Sequence, residues 1–419
     1  MNKKLIALAI AGAFAAPVAM ADNSNDVIYG EFAGSVDYVD GGSYNTPGGL
    51  NANSSERRGR VSSNNSFLGF KGTEDLGNGM SAIWQYEQSI AIDKQNINNN
   101  ANDTNPGLTS NQSRRQTFVG LSSKQMGSLT VGIHESPFKT STGPLDIFGQ
   151  HTLADYRNIW GTAGSLGNVA SIRAENSVMY TSPDLAGFTI KALGAAQNEA
   201  GNNTATSAVD NPHYYSAGAT YANGPIFAAL AYEDNMSATA AGSTSVVGIV
   251  AGVPAVITTP TAAGDFAYKN WRAGVGYSIV GIKFGLAYER IQGKGTGQSI
   301  APPGVSTMQG VRRSAWYLPV SYQMGSNTLK FAYTRASKSN QKSSAGIDLS
   351  GNDGAKQFSV GFDHAMSKRT NVYALYSQVR NDANGVYSLG GGGTGIASVA
   401  AASYGEDPKG FSIGMVHKF

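Results

Sequence analysis

From Ile28 to the end of the chain, short runs recur in which apolar and polar residues change places at every second position, the pattern of strands with one apolar and one wet face. In the first run Ile28, Gly30, Phe32, Gly34, Val36 and Tyr38 share one face, and Tyr29, Glu31, Ala33, Ser35 and Asp37 share the other. Carboxylates opposite an apolar face suit water on one side and lipid on the other. Past the leader no segment supplies the roughly 18 consecutive apolar residues of a spanning helix; the nearest, Val246 to Ile257, is about 12 long and broken by Pro254. A membrane chain without such a helix must close its strands into a barrel, because lipid offers no partner to an open strand edge.

The leader itself reads as an export signal over residues 1–21. Lys3 and Lys4 precede an apolar stretch from Leu5 to Val18, and Ala19-Met20-Ala21 is a small-residue cleavage site. Removing it takes the formal charge from +3 to about +1, and no basic run follows, so nucleic acid is not an expected partner. The absence of cysteine excludes disulfides, thiol catalysis and cysteine-ligated zinc. Charged residues are 14% of the chain, against roughly 25% in soluble domains.

In chain order, long polar loops alternate with tight turns, as in an up-and-down barrel whose two rims differ. Tight turns fall near Asp75 to Gly79, Ser122 to Gly127, Ser182 to Asp184, Asn223-Gly224, Ile279 to Gly281, Gly325-Ser326 and Ser367-Lys368. Sixteen candidate strands result, and an even number lets the first and last pair, leaving no edge. Pro319 deletes a ladder donor and predicts a bulge. In Asn371 to Gln378 apolar residues fall on both faces, so no inner side can be assigned. The stretch from Ser136 to Ile172 does not alternate, and an unstructured loop of that length is uncommon unless functional. It is expected to fold into the barrel and narrow it. Charges facing lipid would cost about 2 to 4 kcal/mol near the midplane, so Glu31, Asp37, Glu87, Arg115 and Lys283 are expected inside, with Arg115 on the face opposite Phe118. Arg173 shares a face with Ser177, Met179 and Thr181.

Five segments, LGFKGTEDLGNG (Leu68 to Gly79), TFVGL (Thr117 to Leu121), ENSVMYTSPDLAGF (Glu175 to Phe188), SKRTNVYALYS (Ser367 to Ser377) and GMVHKF (Gly414 to Phe419), together resemble the general trimeric porins of Gram-negative outer membranes. They span the chain from end to end, and the His-x-Phe ending resembles one branch of that family. The resemblance implies an all-β protein over residues 22–419: a sixteen-stranded antiparallel transmembrane barrel, assembled as a homotrimer, with the third loop (136–172) folded inward. It implies a water-filled channel for passive diffusion of ions and small hydrophilic solutes. In such channels loop carboxylates, here Asp146 and Asp155, face wall arginines, here Arg115 and Arg173, and the field between them selects small polar solutes. Glu31 and Glu87 are further lumen charges, and Phe419 corresponds to the terminal aromatic residue read by the outer-membrane assembly machinery. Phe67 stands where many relatives carry an arginine, and Glu31 where some carry a lysine, so the wall is less basic than in those relatives.

Other function classes carry sequence requirements of their own. A hydrolase would need His with Ser or a carboxylate at one rim, but His134, His151, His213, His364 and His417 are scattered. LGGGGTG (Leu389 to Gly395) lacks the Lys-Ser/Thr of a phosphate cradle. No enzyme activity, cofactor or metal site is therefore expected. A substrate-specific channel, or a surface receptor or adhesin barrel, remains the alternative. The apolar insertion from Val246 to Thr261, in an expected outer loop, suits contact with lipopolysaccharide, a neighbouring subunit or another protein. Nine aromatic residues, among them Tyr38, Trp84, Trp271 and Trp316, are expected in outward interface girdles.

Overall fold

The computed structural model describes residues 25–41, 57–93, 114–161, 170, 172–196, 213–239, 242–250, 253–261, 264–295, 308–343, 351–385, 387–390 and 405–419. The export signal lies outside the described residues. In chain order the strands begin with β1 (Val27–Asp40), β2 (Arg58–Ser63), β3 (Phe67–Gly77), β4 (Met80–Ser89), β5 (Arg114–Ser123), β6 (Gly127–Glu135) and β7 (Arg173–Thr181). There follow β8 (Phe188–Ala196), β9 (His213–Asn223), β10 (Ile226–Thr239), β11 (Gly242–Val250), β12 (Val253–Thr261), β13 (Gly264–Ile279) and β14 (Ile282–Gly295). The last are β15 (Met308–Met324), β16 (Asn327–Ala336), β17 (Asn340–Ser343), β18 (Ala355–Ala365), β19 (Thr370–Asn381) and β20 (Lys409–Lys418).

All pairings are antiparallel, and β1 closes the sheet by pairing with β20 on one side and with β2 and β3 on the other. Because β2 and β3 lie end to end along β1, and β16 and β17 along β15, the eighteen strands of the sheet form sixteen staves. The β2/β3 break is made by side chains. Asn65 adopts a left-handed φ of 66°, and Ser66 Oγ accepts from the Ala33 amide at 2.9 Å in place of a ladder carbonyl. The apolar insertion forms a separate two-stranded sheet of β11 and β12, while β10 pairs directly with β13.

Alternation sorts the staves into an outer apolar face and an inner mixed one. Val36, Tyr38, Trp84, Val131, Leu230, Trp271, Trp316 and Ile413 are exposed outward, and Ser35, Asp37, Glu87, Ser177, Tyr317 and Ser412 are buried on the opposite parity. Girdle residues Tyr38, Trp84, Tyr86, Trp271, Tyr277, Trp316 and Tyr322 all lie on the exposed set.

Three local readings change. No bulge forms at Pro319: the β14 ladder skips the two pairs around it but resumes in the same register, Phe284 with Val320 and Ala287 with Tyr317. Gly285 lies beside the proline ring, which a side chain would crowd. In β5 the inner side is not the one opposite Phe118. The register shifts between Gln88–Arg114 and Tyr86–Thr117, so Val119 and Leu121 face out while the Phe118 ring stacks on buried His134 at 5.2 Å. One extra residue flips every later side chain, and thus both Arg115 and Phe118 reach the inner side. In β19 the inner side is now assignable: Tyr373, Leu375, Ser377 and Val379 are buried. It is apolar because the third loop packs on it.

Candidate functional site

The third loop begins with a single helical turn, α1 (Pro137–Thr140). Ser136 caps it by accepting from the Lys139 amide at 3.0 Å, and Pro137 fills the first position, where a missing N–H costs nothing. Two 3-10 turns follow, Gly143–Leu145 and Tyr156–Asn158. Asp155 caps the second, accepting from the Arg157 amide at 2.9 Å and the His151 amide at 2.8 Å.

These turns aim an apolar row at the inner wall. Leu145, Phe148, Leu153, Ala154, Tyr156, Ile159 and Trp160 form one buried cluster with wall residues Ala287, Ala315, Tyr317, Ala332, Ala336 and Leu375. Tyr156 stacks on Tyr317 at 4.5 Å between ring centroids, and Trp160 meets both edge-on. Such pairs are worth about 0.5 to 1.5 kcal/mol beyond the area they bury. The wall beneath is cut back to accept the row: a Cβ on Gly276 or Gly285 would lie 2.8 Å from Leu145, and one on Gly361 2.7 Å from Phe148.

A buried charge cluster pins the loop both near its start, at Phe138, and at Ile159 and Gly161. Arg272 (β13) pairs with Glu289 (β14), whose Oε1 also lies 3.4 Å from Arg313 (β15), and all three side chains are at most 1% exposed. Glu289 accepts from the Gly161 amide at 2.9 Å. Arg272 donates to the Phe138 carbonyl at 2.9 Å with its guanidinium over the Phe138 ring, and Arg313 donates to the Ile159 carbonyl at 2.7 Å and the Tyr387 hydroxyl at 2.8 Å. Glu289 offsets one of the two cationic charges, and the remaining guanidinium donors bind loop carbonyls that would otherwise be left unpaired. None of the three was marked by the sequence reading. The signal available was their inner parity on three consecutive strands.

Arg115 lies 3.4 Å from Glu87, donates to Asn65 Oδ1 at 2.6 Å and covers the Phe67 ring at 4.5 Å. The break between β2 and β3 therefore positions this arginine through Asn65. Glu87 in turn accepts from Tyr29 at 2.8 Å. Arg173 pairs at 2.9 Å with Glu135, which Lys139 of α1 also meets at 2.8 Å. Glu31 faces Lys418 at 3.6 Å, between the first and last staves.

Of the loop carboxylates, Asp155 is fully buried and paired with Arg157 within the loop. Burial opposes its ionisation, but Arg157 holds its carboxyl below the usual range. Asp146 is partly exposed and accepts from the Phe148 and Gly149 amides at 3.2 and 3.0 Å. Burial, and then the Asp155 charge, push it up to about 6. His151, in the left-handed region at φ 69°, is pushed down to about 3 by burial and then by Arg157. Among the described residues neither loop carboxylate comes within 4 Å of Arg115 or Arg173. Phe419 stacks on Phe32 at 5.5 Å and exchanges two backbone hydrogen bonds with Gly30. Among the described residues no group of three metal-ligating side chains occurs.

The family model for Gram-negative porins matches residues 7–384. An outer membrane porin protein of Bordetella pertussis is 25% identical over 343 residues, 76% of this chain and 77% of that protein. The major outer membrane protein P.IB of Neisseria meningitidis serogroup B is 34% identical over 228 residues, 54% of this chain and 57% of its own length. In fold the chain is similar to the anion-selective porin from Comamonas acidovorans, with a TM-score of 0.65, 21% identity, and 95% of this chain and 100% of that one covered. A closed barrel with an apolar exterior and a charged interior thus coincides with a family match over most of the chain, and the protein belongs to the Gram-negative porins, outer-membrane barrels that pass ions and small hydrophilic solutes by passive diffusion.

Proposed function

We propose that residues 136–172 lie within the barrel as its constriction, and that solutes pass between the loop and the wall formed by β1 to β7. The observation that carries this reading is the burial of the loop's apolar row against inner-parity residues of β14, β15, β16 and β19. That packing leaves the opposite wall, with Arg115 and Arg173, facing the opening. Asp146 makes the acidic side, with Asp155 buried behind it against Arg157, Arg115 and Arg173 make the basic side, and Glu31 and Glu87 are further charges of the wall. Because Glu87 and Glu135 already accompany the two arginines, the transverse field is modest and selectivity weak. The channel is a homotrimer with no catalytic role and no cofactor, and Phe419 is its assembly signal, as the family resemblance implies.

The test is the reversal potential across a planar bilayer under a salt gradient, with the purified protein and with Arg115→Ala and Arg173→Ala. Weak selectivity that shifts toward cations in the variants is expected. Conductance with unmoved selectivity would place the field elsewhere.

A further inference from the structure

Beside the apolar row, between the start of the loop and the wall, lies a cleft of about 460 Å³, lined by Thr140 and Ser141 of the loop, Thr189 and Lys191 of β8, Thr220 of β9, Phe227 of β10, and Ser278 and Lys283 beside the β13–β14 turn. Pro137 and Pro144 form its loop side, and Gly224 and Pro225 place its mouth at the rim of tight turns. Four cations of the inner wall lie beside acids, at Arg60–Asp37, Arg115–Glu87, Arg173–Glu135 and Lys330–Asp363. The two cations of the cleft do not. Among the described residues neither Lys191 nor Lys283 has a carboxylate within 4 Å, and no carboxylate lines the cleft.

We propose that this cleft is a binding site for small organic carboxylates, with Lys191 and Lys283 taking the charge, the hydroxyls of Thr189, Thr220 and Ser278 donating to its oxygens, and Phe227 with the two prolines receiving an apolar body. Two ammonium groups with no carboxylate among the described residues within 4 Å attract an anion. The hydroxyls of Thr189, Thr220 and Ser278 can complete its hydrogen bonding, those of Thr140 and Ser141 already donating to loop carbonyls, and the apolar side excludes fully hydrated inorganic ions from the best fit. The volume lies within the usual range of about 300 to 1,000 Å³ for small-molecule sites. The cleft lies beside the passage along β1 to β7 and opens at the rim of tight turns, so a porin with such a site enriches carboxylates at that mouth, beyond what its mean field does. The proposal rests on the placement of the loop inside the barrel.

The experiment records chloride current through the purified protein in planar bilayers while benzoate, benzyl alcohol or inorganic phosphate is titrated in. Benzoate should reduce the current saturably, and benzyl alcohol should not. Lys191→Gln with Lys283→Gln should raise the half-blocking concentration by about tenfold or more. Phe227→Ala should weaken block by benzoate and leave phosphate unaffected. Retained conductance in each variant shows that the barrel has folded. Block that never saturates, that the double lysine variant leaves in place, or that phosphate matches in the wild type and in Phe227→Ala would overturn the proposal. The Arg115 and Arg173 variants read the field separately, so a silent cleft in a channel that responds to them refutes the site alone.

Discussion

Glu289→Gln is the most direct probe of how the loop is held. The substitution keeps the shape of the side chain and an oxygen for the Gly161 amide, but takes the Glu289 charge away from Arg272 and Arg313. Removing one charge of a buried pair costs about 3 to 5 kcal/mol. Both guanidiniums keep the Phe138 and Ile159 carbonyls, and Arg272 keeps the Phe138 ring, so the loss belongs at the lower end. About 3 kcal/mol shifts the ratio of docked to undocked loop by roughly 150-fold. The barrel should survive, because its ladders do not pass through Glu289's carboxylate. Single-channel recordings at low voltage should then show added open-level noise and more frequent closures, with melting of the folded barrel on semi-native gels little changed. Glu289→Asp should fall between the two. Recordings of Glu289→Gln that match the wild type in conductance, noise and closure frequency would show that the apolar row holds the loop without the charge cluster.

Two further outcomes follow from the loop and the terminus. Asp146, raised to about 6, is ionised above that pH and neutral below it, whereas Asp155 stays ionised well below that pH. A raised carboxyl disfavours the folded loop as pH climbs through 6, so acidification from 7 to 5 should steady the loop and remove one negative charge. Reversal potentials should move toward anions with a midpoint near 6, and Asp146→Asn should abolish that step; a step that persists in Asp146→Asn would assign it elsewhere. Deleting Phe419 removes the stack on Phe32 and the two hydrogen bonds to Gly30 that tie down the last stave. The yield of heat-modifiable barrel in the outer membrane should fall several-fold, while Phe419→Tyr should restore it.

How much could be read without coordinates differs by element. The period-two pattern of β1, β4, β7 and β20 is forced by lipid on one side and water on the other, so their faces were legible from residue types alone. In β5 the same rule placed Phe118 on the wrong side, because a one-residue register shift has no signature in composition. It failed to decide in β19, where Tyr373, Leu375 and Val379 face inward against Leu153 and Phe148 rather than water. Pro319 deletes a donor as expected, yet the ladder absorbs it without a bulge.

The same division holds for the site. Arg115 and Arg173 could be nominated from family motifs, and Asp146 and Asp155 from their place in the loop. That Asn65 and Glu87 hold Arg115, and that Lys191 and Lys283 share one cleft, depends on residues far apart in the chain, whereas the Asp155–Arg157 pair spans two positions and is legible in the sequence. Local sequence determined the secondary structure, the two-faced strands and the family, because alternation and turn chemistry act over a few neighbouring residues. Only the tertiary structure decided which inner positions meet water and which meet the loop, because that depends on what closure of the barrel brings opposite each one.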